Sequence, residues 1–427
     1  MLSTRPGRRR AAMAAVAALL TVTAACGGDS TSGGEDEDVT LHFTWWGNAD
    51  RAELTEQAID LFEEEHPGIT IETSFSEFDA YWERMATQIA GGSAPDILQM
   101  DYRYVREYAE RNVLREFGDD DVDTSAMAPG LLSAGEIDGV SYAIPMSQNT
   151  QALLYDPAAW AAAGEQAPGP DWTWADLEAG GRVVAEATGI SAISDFGQIE
   201  DWFEVWLRQR GKTLYTDDGE LGYTAEDVAE YWTFTNGLRE AGIVTPADET
   251  ATMDGSQANS PLAKQTSAAE FNYDSGLTAE SWEIYGRELA LAPFPSDSGE
   301  LGQYAKPSML ICISQRSEHP EEAAQFIDFL LNDPEVGELL GTSRGMPANA
   351  DIREAVGGAL TGPPQLAFEF EQAVLPELAD APPPPPRGAG SVKAAFQRIY
   401  DDVIFGSTTP EEAAERFMSE AEQALAQ

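Results

Sequence analysis

The chain has 427 residues, which is enough for two globular domains. Hydrophobic residues make up 43% of it, so we expect a folded core rather than disorder. Asp and Glu number 74 against 25 Lys and Arg, which gives a formal net charge of −49. Such an acidic surface repels nucleic acid and anionic lipid, so we expect no nucleic-acid partner, and it argues against an anionic ligand unless a local pocket is basic.

The first 25 residues have the features of an export signal. A basic stretch containing Arg8, Arg9 and Arg10 precedes a run of small apolar residues that is too short to span a bilayer. The run ends in Thr-Ala-Ala-Cys26, which resembles a bacterial lipobox and implies lipidation of Cys26, with an ordinary thiol as the alternative. We therefore predict a signal peptide over 1–25 and a lipid-anchored, flexible tether over 26–38.

Segment 39–101 predicts alternating strands and helices. Residues 39–46 and 69–75 have the pattern of strands, and a helix between them begins at the turn around Asn48. A second amphipathic helix, over about 76–90, ends at Gly91-Gly92, and residues 96–100 form a short apolar run typical of a buried strand. This order predicts parallel βαβ units with right-handed crossovers.

Three polar or aromatic residues, Asp101, Tyr102 and Arg103, follow that buried strand directly. In open α/β sheets ligands bind beyond the carboxyl ends of the strands. An acid, an aromatic ring and a guanidinium group together suit a sugar, because rings stack on its C–H face and planar polar groups bind its hydroxyls. The sequence therefore predicts a ligand site at this edge.

The same region carries a resemblance to a known family. The pattern Phe78-x-x-Tyr81-x-x-Arg84-Met85…Pro95-Asp96-Ile97…Asp101 resembles the N-lobe signature of bacterial family 1 extracellular solute-binding proteins. These are carbohydrate receptors of ABC importers, and maltose-binding protein belongs to them. The extended segment 142–156, the proline-initiated helix at 320–331 and the closing helices at 392–405 and 410–425 are similar to further parts of this family, so the resemblance spans about 39–427.

The resemblance implies an α/β fold of the two-lobed, periplasmic-binding-protein-like type II class. Three hinge crossings would join the lobes. Residues 39–148 and 308–345 would form the N-lobe, and residues 149–307 and 346–427 the C-lobe. A ligand held between the lobes would then close them by a hinge motion.

Signals for catalysis are weak. The three histidines lack the spacing of metal ligands, and no phosphate-binding or dinucleotide motif is present. Gly341-Thr-Ser343-Arg-Gly345 fits the formula of a nucleophile elbow, but that motif needs a strand before it and a helix after it, whereas a predicted helix precedes it and Pro347 follows. We therefore predict no catalytic residue, no metal and no cofactor, so the protein is not expected to be an enzyme.

Candidate ligand residues are polar and aromatic side chains in loops after strands or at the crossings. The resemblance implies ligand contacts for Asn48, Asp101, Asn149 and Trp202 in particular, although Trp202 and Trp46 could equally be core residues and Asp195 could cap a helix. The full set is Trp46, Asn48, Asp101, Tyr102, Arg103, Asn149, Asp195, Trp202, Asn272, Tyr273, Asp274 and Arg344.

The expected function is that of a lipid-anchored, monomeric receptor on the outer face of the cytoplasmic membrane. It would bind a di- or oligosaccharide between its lobes and deliver it to the transmembrane permease subunits of an ABC importer. We expect a neutral sugar, because many aromatic residues and few free cations are expected at the cleft. The alternatives are a receptor for a non-sugar solute, such as a polyamine or peptide, and a secreted glycosidase.

Overall fold

The computed structural model describes residues 38–216, 218–253, 259–277 and 281–426. The predicted signal peptide, Cys26 and almost all of the tether lie outside these ranges. The strands, numbered in chain order, are β1 Val39–Trp46, β2 Ile69–Ser76, β3 Ile97–Met100, β4 Glu136–Ile137, β5 Val140–Ser141, β6 Ile144–Tyr155, β7 Ala269–Tyr273, β8 Ala290–Ala292, β9 Ala305–Ile313 and β10 Met346–Pro347.

The helices are also numbered in chain order. They are α1 Ala49–Glu65, α2 Phe78–Gly91, α3 Val105–Glu110, α4 Pro129–Leu132, α5 Pro157–Ala163, α6 Trp174–Thr188, α7 Glu200–Arg208, α8 Ala225–Glu240, α9 Ala247–Thr250, α10 Ser281–Tyr285, α11 Pro320–Asn332, α12 Pro334–Leu340, α13 Ala350–Gly357, α14 Pro363–Val374, α15 Ala389–Ile404 and α16 Pro410–Leu425. Short 3-10 turns cover Tyr102–Tyr104, Ser133–Gly135, Asp274–Gly276 and Leu375–Glu377.

The main sheet confirms the predicted βαβ units. Its strand order is β10-β6-β9-β3-β1-β2, with β7 and β8 also paired to β6. β1 pairs in parallel with β2, where Val39 lies opposite Ile69, and in parallel with β3, where Phe43 lies opposite Ile97. β9 lies between β3 and β6 and runs antiparallel to both, so it joins the parallel strands β1–β3 to β6.

The helix and strand before Asp101 form as the sequence predicted. α2 ends where Gly92 adopts a left-handed conformation with φ of 73°, and its N–H donates to the carbonyl of Ile89 at 3.1 Å. A side chain there would be strained, which is why glycine ends the helix. All four residues of β3 are buried, so Asp101 emerges from the core at a fixed position.

Strand β6 connects separate hydrophobic cores. Ile144 and Met146 belong to a first cluster, which is built mainly from residues 39–146 and 304–348. Leu153 and Tyr155 belong to a second, built from residues 153–294 and 392–421. A smaller third cluster includes Leu154 and packs against α14. The described part of the chain therefore folds as two α/β lobes joined by the long strand β6, with β9 paired beside it.

Candidate ligand-binding site

An open cavity lies between the two main cores, and we call it the cleft cavity; its volume of about 760 Å³ includes open solvent. Its wall combines residues from segments 102–106 and 304–306, which adjoin the first core, with residues from 200–204 and 213–219 on the second. Residues 382–386, here called the proline strap, and the start of α15 complete it. The strand end predicted as a ligand site thus opens into a cavity.

A carboxylate held between two lysines lies in the wall of this cavity. Lys306 Nζ donates to Asp201 Oδ1 at 3.0 Å and to the hydroxyl oxygen of Tyr273 at 3.0 Å, while Lys393 Nζ donates to Asp201 Oδ2. Burial alone would raise the pKa of Asp201, but the two ammonium groups hold that pKa far below its usual value. Asp201 is therefore ionised and fixes both lysines.

Two further carboxyl groups of α7, those of Glu200 and Glu204, lie in the same wall. Burial raises the pKa of Glu200 to about 8, and the nearby Lys393 only partly offsets this effect. Glu204 accepts a hydrogen bond from the Tyr304 hydroxyl at 2.8 Å, and burial raises its pKa as well. At neutral pH Glu200 is therefore mainly protonated and can donate a hydrogen bond, unlike Asp201 one residue later.

The predicted triplet Asp101, Tyr102 and Arg103 borders the cavity. Asp101 accepts hydrogen bonds from the backbone N–H and Nε of Arg103, both at 2.9 Å. Burial would raise the pKa of Asp101, but the guanidinium group of Arg103 lowers it. Tyr102 and Arg103 line the cavity directly. Asp101 and Arg103 therefore form an ion pair held in place before any ligand binds, next to the Tyr102 ring.

The same element anchors the proline strap. The Tyr102 hydroxyl donates to the carbonyls of Pro382 and Pro383 at 3.0 and 2.8 Å, and Arg106 Nε donates to the carbonyl of Pro384 at 3.0 Å. Since proline has no N–H, the strap cannot bond through backbone donors. Side chains after β3 therefore hold this wall of the cavity in place.

Trp202 lies behind the cavity wall. Its side chain is 5% exposed, and its ring lies 5.3 Å from that of Tyr273 and 5.4 Å from that of Phe294. Tyr273, which receives the hydrogen bond from Lys306, is only half-buried. Trp202 therefore supports Tyr273 and α7, and it is not among the residues that line the cleft cavity.

Three predicted residues, Asn48, Asn149 and Asp274, line a second open cavity, which we call the hinge cavity; its volume of about 1030 Å³ includes open solvent. Asn48 also caps α1, accepting a hydrogen bond from the backbone of Arg51 at 3.0 Å. Asn149 Oδ1 has no hydrogen-bond partner among the described residues. Asn149 lies opposite Lys306 in the antiparallel β6–β9 pairing, so a residue of the hinge cavity and a residue of the cleft cavity are cross-strand neighbours.

Arg344 is buried where the chain passes between β9 and β10. Its carbonyl accepts hydrogen bonds from Ser147 Oγ at 2.6 Å and Ser308 Oγ at 2.5 Å, and its Nη2 donates to Thr55 Oγ1 at 2.5 Å. Burial and the positive charge of Arg51 lower the pKa of Arg344 to about 9. Arg344 therefore joins β6 to β9 through its backbone, next to the hinge cavity rather than in its wall.

A carboxyl pair, Asp274 and Glu371, lies close to these crossings. Asp274 accepts a hydrogen bond from the backbone of Thr150 at 3.0 Å, and Gln148 Nε2 donates to Glu371. Burial raises the pKa of both carboxyl groups, and for Glu371 the value is about 7. Two carboxylates so close cannot both be ionised cheaply, so the pair holds a proton near neutral pH.

The structure places the remaining predicted residues, Trp46, Asp195 and Asn272, away from the lining of both cavities. Trp46 is 8% exposed and packs against the rings of Phe78, Tyr81 and Trp82. Asp195 is fully buried in the second core, where it accepts hydrogen bonds from the backbone of Gly197 and the hydroxyl of Tyr400, each at 3.0 Å, and burial raises its pKa to about 6. Asn272 Nδ2 donates to Glu270 at 3.0 Å. All three side chains therefore contact other parts of the protein in this structure.

Sequence reasoning missed most of the charged wall, namely Arg106, Glu200, Glu204, Lys306 and Lys393. Lys393 lies 192 positions from its partner Asp201, so nothing local links them. The one available signal was composition, because lysine occurs only four times in the chain. Within the described ranges, no group of three or more His, Cys, Asp or Glu is placed to hold a metal ion, and no helix has the length and apolarity needed to cross a membrane.

Two α/β lobes and a cavity with a mixed polar and apolar lining between the cores together define a ligand-binding protein of the two-lobed class. The family described as bacterial extracellular solute-binding protein matches residues 57–367, well over half of the chain, and the chain belongs to this family. The fold class predicted from the sequence is therefore confirmed.

Similar proteins agree with this assignment. An extracellular solute-binding protein family 1 structure from Alicyclobacillus acidocaldarius is 33% identical, with a TM-score of 0.77, over 92% of this chain and 99% of that one. A periplasmic oligogalacturonide binding protein from Yersinia enterocolitica, 21% identical, has a TM-score of 0.77 over 90% of this chain and all of its own, and shares the fold. A Brucella abortus protein described as a binding protein is 21% identical over 69% of this chain and 72% of its own length.

Proposed function

We propose that this chain is the lipid-anchored receptor of an ABC importer, capturing a di- or oligosaccharide between its lobes and passing it unchanged to a membrane permease. Cys26 carries the lipid, and the receptor acts as a monomer at the outer face of the cytoplasmic membrane. The N-lobe comprises residues 39–148 and 308–345, and the C-lobe residues 149–307 and 346–427. The separate hydrophobic clusters support a division close to these boundaries.

The observation that carries this proposal is the mixed lining of the cleft cavity. Three tyrosines, Tyr102, Tyr215 and Tyr304, line it together with carboxyl, ammonium and guanidinium groups. A sugar offers an apolar C–H face and a rim of hydroxyls, so it needs both rings and fixed polar partners. Enclosure between lobes also suits a ligand that is bound and released rather than converted.

The proposed site divides the predicted residues by their surroundings. Tyr102 and Arg103 line the cleft cavity, and Asp101 is paired with Arg103 beside it. Tyr273, with Trp202 behind it, accepts a hydrogen bond from the lining residue Lys306. Asn48, Asn149 and Asp274 line the hinge cavity, and Arg344 lies next to it. Of these, Asn149 would contact the ligand, because its amide oxygen lacks a hydrogen-bond partner among the described residues. The name of the Yersinia enterocolitica relative supports a sugar as the ligand class.

Binding energy would drive lobe closure about β6, β9 and the chain near Arg344. The chain near Arg344 is held to β6 and β9 by the two serine hydroxyls on the Arg344 carbonyl, and Arg344 Nη2 donates to Thr55. A ligand touching both walls favours the closed form by its differential affinity for that form. Closure then presents both lobes to the permease.

A pair of tyrosines allows a sharp test of the site. The hydroxyls of Tyr215 and Tyr223 both lack a hydrogen-bond partner among the described residues, but only Tyr215 lines the cleft cavity. Isothermal titration calorimetry against a panel of disaccharides and oligosaccharides should find a ligand that binds in the cavity. Tyr215→Phe should weaken it by about tenfold, the loss of one hydrogen bond in a closed site, whereas Tyr223→Phe should bind normally.

Two results would count against this function. If no sugar in the panel binds the full chain, a sugar receptor is wrong, and titration with polyamines and peptides would examine the alternative solutes. If chromatography after incubation recovers a cleaved sugar, the protein is a hydrolase and not a receptor.

The lipid anchor needs a separate test. Mass spectrometry of the mature N-terminus should find a diacylated cysteine at position 26, and Cys26→Ala should release the protein from the membrane fraction. An unmodified N-terminus at another residue, with the protein still bound to the membrane, would refute the proposed anchor.

A further inference from the structure

Lysine occurs at only four positions of this chain, 212, 264, 306 and 393, yet two of the four line the cleft cavity. Lys306 comes from β9 and Lys393 from α15, and Arg103 and Arg106 complete a set of four cationic side chains in the lining. Since the chain has a net charge of −49, this cavity differs sharply from its acidic surroundings.

The carboxyl groups that face these cations do not fully balance them. Asp201 is shared by both lysines, and Asp101 is paired with Arg103. Glu200 and Glu204 are buried in the same wall, and burial raises the pKa of each, that of Glu200 to about 8. Even with Glu204 counted as ionised, three carboxylates face the four cations at neutral pH, because Glu200 is mainly protonated.

The ammonium groups also have donors to spare and remain accessible. Lys393 has three N–H donors, of which one is used by Asp201 among the described residues. Its side chain is 37% exposed, and that of Lys306 is 22% exposed. A ligand in the cavity could therefore accept hydrogen bonds from Lys393 without breaking the existing pair.

We propose that the sugar bound in the cleft cavity carries an anionic group, a carboxylate or a phosphate, which accepts hydrogen bonds from Lys393 and lies beside Lys306. This rests on the proposed function and deepens it by naming the charge of the ligand. The sequence had led us to expect a neutral sugar. We now propose an anionic one, because cations from segments far apart in the sequence lie together in the cavity. Charge-assisted hydrogen bonds of this kind are roughly twice as strong as neutral ones.

The acidic exterior makes the local cations necessary for such a ligand. An anion approaching a chain of this net charge is repelled at long range, and only a cationic cavity offsets that repulsion. The attraction acts over a few ångströms in a partly closed site, where screening by salt is weaker than at the surface. Binding of an acidic sugar should therefore be selective.

The test compares disaccharides that differ only in charge. Calorimetry with the full chain would use digalacturonic acid beside its neutral dimethyl ester, and cellobiose 6′-phosphate beside cellobiose. The acidic member of one pair should bind about tenfold or more tightly than its neutral partner, and the pair that shows the difference identifies the anionic group. Inorganic phosphate alone should bind far more weakly than the sugar phosphate.

Lysine variants assign the effect to the cavity. Lys393→Met should remove about tenfold of the affinity for the acidic sugar, and Lys393→Arg should restore much of it because the charge is kept. Lys264→Met, at an exposed position outside both cavities, is the matched control and should change nothing. Urea unfolding of each variant checks that it is folded.

The possible failures are distinguishable. If the neutral members bind as tightly as the acidic ones and Lys393→Met binds both normally, the anionic ligand is wrong while the sugar receptor stands. If no member of either pair binds, the anionic ligand is also wrong, and the wider sugar panel decides separately whether the proposed function fails with it.

Discussion

Replacing Glu200 by glutamine would test the electrostatics of the cleft wall. Glu200 is buried, and its pKa is raised to about 8 from the ordinary value of 4.5. A carboxyl group with a raised folded-state pKa binds its proton more tightly in the folded than in the unfolded protein. The stabilisation it contributes is complete below about pH 4.5 and is lost as the pH rises through about 8.

The size of this loss follows from proton linkage. Each unit of pKa difference between the folded and unfolded states corresponds to about 1.4 kcal/mol of unfolding free energy. Most of this change in unfolding free energy occurs between about pH 5 and about pH 8. The native chain should therefore lose about 3 kcal/mol of unfolding free energy from Glu200 over this range. Glu200→Gln cannot ionise, so its unfolding free energy should lack this component of the pH dependence.

Urea unfolding followed by the fluorescence of the ten tryptophans measures the difference. The unfolding free energy of Glu200→Gln relative to that of the native chain should increase by about 3 kcal/mol as the pH is raised from about 5 to about 8. Glu186→Gln, on the exposed face of α6, is the control and should show a constant gap. If the difference in unfolding free energy between Glu200→Gln and the native chain is equally constant with pH, Glu200 does not hold a proton in the folded protein, and the reasoning is wrong.

Three further outcomes are expected. Gly345 has a φ of 108°, and in Gly345→Ala the new Cβ would lie 2.7 Å from Asn149 Oδ1 and 2.8 Å from Ser308 Oγ. The variant should therefore lose about 2 kcal/mol of unfolding free energy and show less sugar-induced closure in small-angle scattering. Unchanged closure would contradict a hinge at this position. Tyr102→Phe removes the hydroxyl bonded to the proline strap and should lower the unfolding free energy by about 1 kcal/mol, measured in urea. Asp195→Ala should cost about 3 kcal/mol yet leave the sugar dissociation constant unchanged in calorimetry, and weaker binding would return Asp195 to the site.

Local chemistry made much of the first lobe predictable. The apolar repeat of α2, the glycines that end it and the apolar run of β3 each act within a few residues, so the order of strand and helix could be read directly. The position of Asp101, Tyr102 and Arg103 at a cavity followed from the general placement of ligands at strand ends.

Aromatic and acidic residues in loops were less predictable. Trp46 and Asp195 have the residue types of a sugar site, but burial decides their role, and burial depends on elements far along the chain, such as α2 for Trp46 and α15 for Asp195. The periodicity of a short loop carries no information about what covers it. Their assignment therefore needed the packed structure.

The sequence alone determined the order of strands and helices from β1 to β3 and pointed to the family, because these depend on local periodicity, turn residues and motifs. Tertiary structure alone decided the charge of the cleft wall. Asp201, Lys306 and Lys393 meet because α7, β9 and α15 pack together, and the proton on Glu200 is held because that packing excludes water. Both effects arise from burial and through-space charge, which no stretch of sequence contains by itself.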